Sequence, residues 1–166
     1  LSEYLLQAQW AELIALKEAI HNLSTTLKRP ITILDIGIGD ARIPKHLSGI
    51  KEIWDKVSTY DGIDVAQNCI DLSNQWIMQS NNQDRVKTHL LNATELNQLP
   101  GKYDLIICTW FTAGNFYPTG FDFNNFNHQE LLQTNRKFSD IFARAYEHLN
   151  PNGQIILGSI YQDNDN

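Results

Sequence analysis

Ile31-Thr32-Ile33-Leu34-Asp35-Ile36-Gly37-Ile38-Gly39-Asp40-Ala41-Arg42 is the stretch that decides the fold. Its first six residues are β-branched or apolar almost throughout, as a strand buried on both faces requires, and they run directly into a glycine turn. A helical pattern follows over residues 41–50, so strand, turn and helix stand in immediate succession. In an open parallel sheet such a turn lies beyond the carboxyl end of the strand. There glycines let a ligand approach the backbone and a helix N-terminus faces it. Taken alone, Gly-x-Gly is equally what a tight strand-to-helix turn carries.

Working outward, Leu6, Trp10, Leu13, Ile14, Leu16, Ile20, Leu23 and Leu27 recur at intervals of mostly three or four, which predicts a helix over 5–27 with one buried face. Lys28 and Arg29 suit its C-terminal dipole, and Pro30 stops it. Downstream, the pattern predicts strands over 59–65, 86–91, 103–109 and 154–160, with helices over 67–79 and 129–149. Turn signals separate them, among them Leu99-Pro100-Gly101 and Asn150-Pro151-Asn152-Gly153. Strands alternating with helices predict an α/β, doubly wound, mainly parallel sheet with helices on both faces and an N-terminal helix.

The composition agrees. With 166 residues, 42% hydrophobic and 19% charged, the chain has the length and balance of one globular domain, 1–166. No run approaches the roughly 18 apolar residues of a membrane helix, so no membrane partner is expected. A net charge of -6, with basic residues scattered singly apart from Lys28-Arg29, gives no stripe to hold a phosphate backbone, and no nucleic acid partner is expected. Cys69 and Cys108 lie in apolar surroundings without CxxC or Cys/His spacing, which favours buried thiols in a reducing cytoplasm over a disulfide. His21, His46, His89 and His148 show no spacing with Asp, Glu or Cys that suggests a metal site.

Two acidic residues bracket the glycines. Asp35 stands two before the first, and Asp64 closes the next strand in Gly62-Ile63-Asp64-Val65-Ala66, 25 residues after Gly39. A nucleoside-binding unit places such a carboxylate roughly 20 residues on, where it accepts hydrogen bonds from ribose hydroxyls. The competing reading of Asp64 is an N-cap for the following helix. A nicotinamide dinucleotide fingerprint wants a small residue three beyond the second glycine, and Arg42 occupies that place, which weakens the dinucleotide reading.

Asp35-x-Gly37-x-Gly39 resembles motif I of the class I S-adenosylmethionine-dependent methyltransferases, and the resemblance runs through almost the whole chain. Asp64 matches that family's ribose-binding acid, and Asn92-Ala93 its usual Asp-Ala beside adenine. Tyr103-Asp104-Leu105-Ile106-Ile107 matches the "fDlV" fourth strand, and Tyr146 through Gln154 the "LkPGG" turn into strand five. Two departures are Ala41 in the third glycine place and Asn92 for Asp, which keeps an acceptor oxygen and loses the charge. The resemblance implies S-adenosylmethionine as cofactor. It implies that Asp35, Gly37 and Gly39 shape the methionine end, that Asp64 holds the ribose and that Asn92 and Ala93 hold adenine; Val65 and Thr109 complete the implied set.

Acceptor contacts in that family often come from the residues after strand four, here Cys108 to Pro118. This segment is not the Asn/Asp-Pro-Pro-aromatic motif of enzymes that methylate nucleic-acid bases. Gly114-Asn115-Phe116 is similar to a segment of the histidine Nα-methyltransferases, whose asparagine holds the substrate's amino group; Asn115 is thus the candidate acceptor contact, while Tyr117 and His128 are candidate bases, His128 reading equally as a solvated histidine. The aromatics from Phe116 to Phe126 read either as anchors of a loop or as a lid. The expected activity is cytoplasmic methyl transfer to a small molecule, such as an amino or carboxyl compound. A non-catalytic methyltransferase-like binding domain and an NAD(P)-dependent oxidoreductase are the alternatives.

The resembled fold has seven strands in the order 3-2-1-4-5-7-6, and this chain supplies five, in the order 3-2-1-4-5. Strand five would then be a bare edge, a liability that proteins cover. The expectation is a C-terminally truncated domain whose native chain continues beyond Asn166, or a homodimer or local element covering that edge. A first residue Leu1 in place of Met likewise suggests a trimmed product.

Overall fold

The computed structural model describes residues 3–110, 122, 125 and 127–158. Five strands, β1 (Ile31–Ile36), β2 (Val57–Asp64), β3 (Val86–Leu90), β4 (Tyr103–Thr109) and β5 (Leu149–Gly158), pair in parallel in the order β3-β2-β1-β4-β5. Around them lie α1 (Glu3–Leu27), α2 (Arg42–Ser48), α3 (Lys51–Trp54), α4 (Gln67–Gln79) and α5 (His128–Glu147), with a 3-10 helix over Ala93–Gln98. No helix of the described residues is long and apolar enough to cross a membrane.

Side chains alternate across each strand, so a strand apolar at every position feeds two cores. Ile31 and Ile33 of β1 with Leu105 and Ile107 of β4 join Leu16, Ile20 and Leu23 of α1 and Ile70 and Ile77 of α4 on one face. Leu34, Ile36, Ile106 and Cys108 join Leu96, Ile141 and Ala145 on the other. β4 is buried at all seven positions, as the apolar run Leu105-Ile106-Ile107-Cys108 requires.

Three local readings change. The helical stretch 41–50 ends at Gly49, and an extended Ile50 (φ -114°, ψ 90°) separates α2 from α3. The turn at 150–153 lies inside β5: Tyr103 faces Leu149 and Leu105 faces Gln154, so four residues arch opposite Asp104. A Cβ on Gly153 would come within 2.9 Å of the Asn150 carbonyl oxygen, so the arch needs glycine there. Finally, α1 ends with Lys28 in the left-handed region (φ 55°) and the Arg29 N–H donating back to the Ser24 carbonyl, a Schellman-type end.

Arg29 is therefore turned away from the helix dipole, and its guanidinium makes a two-pronged bond to Asp104 at 2.7 and 2.8 Å. The fully buried Asp104 carboxylate also accepts from the Thr32 N–H and the Asn150 amide, tying the α1 exit, β1, β4 and the β5 arch together. Burial pushes this carboxyl up, but the Arg29, Thr32 and Asn150 bonds outweigh burial and hold it below its ordinary value. β5 forms one edge of the sheet, with Leu157 half exposed, and no strand pairs with its outer side among the described residues.

A carboxyl held low in the folded state stabilises the fold at pH above its unfolded value of about 4 and loses that contribution as pH falls further. Asp104→Ala is expected to cost about 2–3 kcal/mol in urea unfolding at pH 7, because it strands the Asn150 amide and one half-exposed arginine. The difference from the unmutated chain should shrink below pH 4.

Candidate functional site

The glycine loop between β1 and α2 is held by the end of β2. The Ile63 carbonyl accepts the N–H groups of both Gly37 and Ile38, at 2.9 and 3.0 Å. Asp64 Oδ2 accepts the Gly39 N–H at 3.0 Å, and Ser73 of α4 donates its hydroxyl to the Gly39 carbonyl at 2.8 Å. Gly37, Gly39 and Ala41 all have positive φ, of 84°, 59° and 66°. Glycine adopts this freely, whereas Ala41 carries a backbone strain of about 1–2 kcal/mol. Gly62 completes the clamp: a Cβ there would lie 2.2 Å from Ile38 Cδ1, so the loop seats on β2 only because residue 62 has no side chain.

Asp64 is not the N-cap of α4. Its Oδ1 accepts the Ala66 N–H at 2.9 Å, while α4 begins at an Ala66 N-cap that has no side-chain bond. Each carboxylate oxygen thus holds one backbone N–H and keeps a lone pair free. Beside it lies a cavity of about 280 Å3 lined by Ile36, Gly37, Ile63, Asp64, Val65, Leu91, Asn92, Ala93, Thr109 and Trp110. Of the residues expected at a cofactor, Gly37, Asp64, Val65, Asn92, Ala93 and Thr109 are brought together here. Gly39 adjoins through its bond to Asp64, with nothing within 4 Å of where a Cβ would stand. The Asn92 side-chain oxygen accepts from the Thr94 N–H and hydroxyl and so starts the 3-10 helix.

Asp35 is placed differently from the expectation that it shapes the methionine end. It is only 2% exposed and does not line the cavity; the Tyr60 hydroxyl donates to it at 2.6 Å beneath the loop. Burial pushes this carboxyl up to about 7, against the lowering effect of the Tyr60 bond, with Glu12 adding to the rise and Arg42 opposing it. The same burial pushes the Cys108 thiol up to about 12, so it is no nucleophile at neutral pH.

Three contributors escaped the sequence reading. Ser73 is a fully buried hydroxyl on the apolar face of α4, a mismatch visible in the pattern. Trp110 lines the cavity from a left-handed backbone (φ 61°) that no sequence signal announces. Arg42 pairs with Glu12 of α1 at 2.6 Å, tying α1 to the loop. Asn115 and Tyr117 lie outside the described residues.

Solved structures share this fold. The bifunctional kinase-methyltransferase WbdD matches with a TM-score of 0.63 at 18% identity, over 90% of this chain and 28% of WbdD. A StiE O-MT domain matches at 0.58 and 17%, over 89% of this chain and 42% of that one. A precorrin 8W decarboxylase from Methanobacterium thermoautotrophicum matches at 0.55 and 17%, over 80% and 56%. The chain spans less than a third of WbdD. No family model matches the sequence, and no curated protein does. The fold is that of the class I S-adenosylmethionine-dependent methyltransferases.

Gly62→Ala is expected to lower stability by about 2 kcal/mol or more, through the forced displacement of Ile38, and to shift the Gly37–Gly39 amide resonances. For Asp35 the sign is opposite to that of Asp104. A carboxyl raised to about 7 favours the fold while protonated, and stability falls as pH climbs from about 4 through about 7. Asp35→Asn, which keeps an acceptor for Tyr60, is expected to flatten that decline and to be the more stable form at pH 8; an unchanged pH profile would contradict the assignment.

Proposed function

We propose that the chain is a methyltransferase domain that moves the methyl group of S-adenosylmethionine to a small-molecule acceptor. The observation that carries this reading is Asp64, a carboxylate fixed by two backbone N–H groups at the rim of an apolar slot, with spare lone pairs for two hydroxyls. Val65, Leu91 and Ala93 suit the faces of a purine, and the open space over Gly39 suits close approach to the backbone. The residues present therefore fit a nucleoside whose ribose lies at Asp64.

S-adenosylmethionine, when bound, supplies a methyl group already activated by its sulfonium. The protein's share is to orient the reacting atoms and exclude water. The rigid clamp on the glycine loop fixes one wall of the slot, and Thr109 and Trp110 at the end of β4 form the wall toward the acceptor side. The nicotinamide alternative wants a small residue where Arg42 stands, and Arg42 is committed to Glu12.

Calorimetric titration with S-adenosylhomocysteine tests the reading. Saturable binding is expected, weakened about tenfold to a hundredfold by Asp64→Ala, the worth of hydrogen bonds to a charged group. Binding of NADH in its place would overturn it. Cofactor binding without methylation of any component of a metabolite extract, followed with a tritium-labelled methyl group, would favour the non-catalytic alternative.

A further inference from the structure

α1 buries Leu13, Leu16, Ile20 and Leu23 and leaves a second apolar line in solvent. Leu6, Trp10 and Ile14 stand four residues apart, so they share one helix face, and they are 45%, 57% and 57% exposed. A single exposed apolar residue is ordinary. Three in a row over two turns make a contiguous patch, on the order of 300 Å2 here, and patches of that size mark contact surfaces. Trp10 is also held in place, because its ring meets His46 of α2 edge-on at 5.9 Å. A fixed aromatic ring loses little freedom on burial and suits the centre of an interface.

The same face carries a charge at each end. Glu3 lies three residues before Leu6 and Lys17 three after Ile14, and neither forms an ion pair among the described residues. Glu3, Leu6, Trp10, Ile14 and Lys17 are thus joined by steps of 3, 4, 4 and 3 residues. At about 100° per residue all five fall within about 80° of arc, and the steps read the same from either end. A second α1 laid antiparallel on the first, crossing at Trp10, therefore sets Leu6 opposite the partner's Ile14, Trp10 opposite the partner's Trp10 and Glu3 opposite the partner's Lys17. A parallel arrangement would set glutamate against glutamate and lysine against lysine. The charges complement one another in one direction only, with a two-fold axis through the tryptophans.

We propose that this face of α1 docks a second copy of the chain, helix antiparallel on helix, to form a two-fold dimer. The area sets its strength. Two such stripes and their flanks bury on the order of 600–1,000 Å2 in total, below the roughly 1,200 Å2 of a stable complex, so the dimer is weak, with a dissociation constant on the order of 10–100 μM. The surface differs from the unpaired outer side of β5. It is also separate from methyl transfer, since none of its residues lines the slot beside Asp64.

Sedimentation equilibrium of the chain from about 5 μM to about 1 mM tests it. The average mass should rise with concentration from that of one chain toward that of two. Trp10→Glu and, separately, Ile14→Glu, both at exposed positions, should weaken association about tenfold or more with the circular dichroism spectrum unchanged. Lys17→Glu places like charges opposite each other and should weaken association about threefold to tenfold; adding Glu3→Lys reverses both charges and should restore it to within about twofold. A chain that stays monomeric to about 1 mM overturns the proposal, and a Trp10→Glu chain that then melts lower shows the face to be covered by the chain's own residues. A dimer indifferent to both Trp10→Glu and Ile14→Glu, as one paired through β5 would be, overturns it as well. A double charge reversal that fails to restore what Lys17→Glu removes overturns the antiparallel pairing.

Discussion

Three backbone N–H groups of the glycine loop, those of Gly37, Ile38 and Gly39, end on two acceptors at the carboxyl end of β2, the Ile63 carbonyl and the Asp64 carboxylate. The candidate site depends on this clamp. A loop with three residues at positive φ has little regular hydrogen bonding of its own, and without β2 its N–H groups would need water. Held this way, the loop presents a bare backbone beside Asp64. The carboxylate that anchors it is the same group offered to a ligand, so loop position and ligand geometry are set together.

The neighbouring constraints are steric and distant. Gly62 leaves the space Ile38 fills, Ser73 ties the loop to α4, and the Glu12–Arg42 pair ties it to α1. At the opposite end of the sheet, Asp104 gathers Arg29, Thr32 and Asn150. One end of the sheet is thus closed by a satisfied polar network, while beside the other Glu12, Arg42 and His46 keep buried polar atoms without hydrogen-bond partners among the described residues. This is the polarity expected where ligands bind beyond the carboxyl ends of parallel strands.

Elements carried by an unbroken local pattern were legible in the sequence. β1, α4 and β4 have the predicted bounds because buried β-branched runs and a clean helical period leave no competing register. The sheet order agrees with that implied by the family resemblance. What escaped depends on partners far away in the chain. Arg29 looks like a helix-dipole residue until Asp104, 75 positions on, is placed beside it. Asp35 reads as a cofactor residue, and nothing local announces its bond from Tyr60, 25 positions on. The arch at 150–153 reads as a turn before a strand because four turn residues in a row conceal that Leu149 already pairs with Tyr103. In the site, the glycines and Asp64 were legible as residue types at a spacing, but their mutual bonding and the roles of Ser73, Trp110 and Arg42 were not.

The clamp's dual role is tested most directly by the amide resonances of Gly39 and Ala66, the two N–H groups held by Asp64, followed as S-adenosylhomocysteine is added. Both should shift together and saturate at one concentration, with the remaining changes confined to Gly37, Val65, Asn92, Ala93, Thr109 and Trp110. Saturable binding that leaves Gly39 and Ala66 unmoved while shifting residues elsewhere would contradict the account.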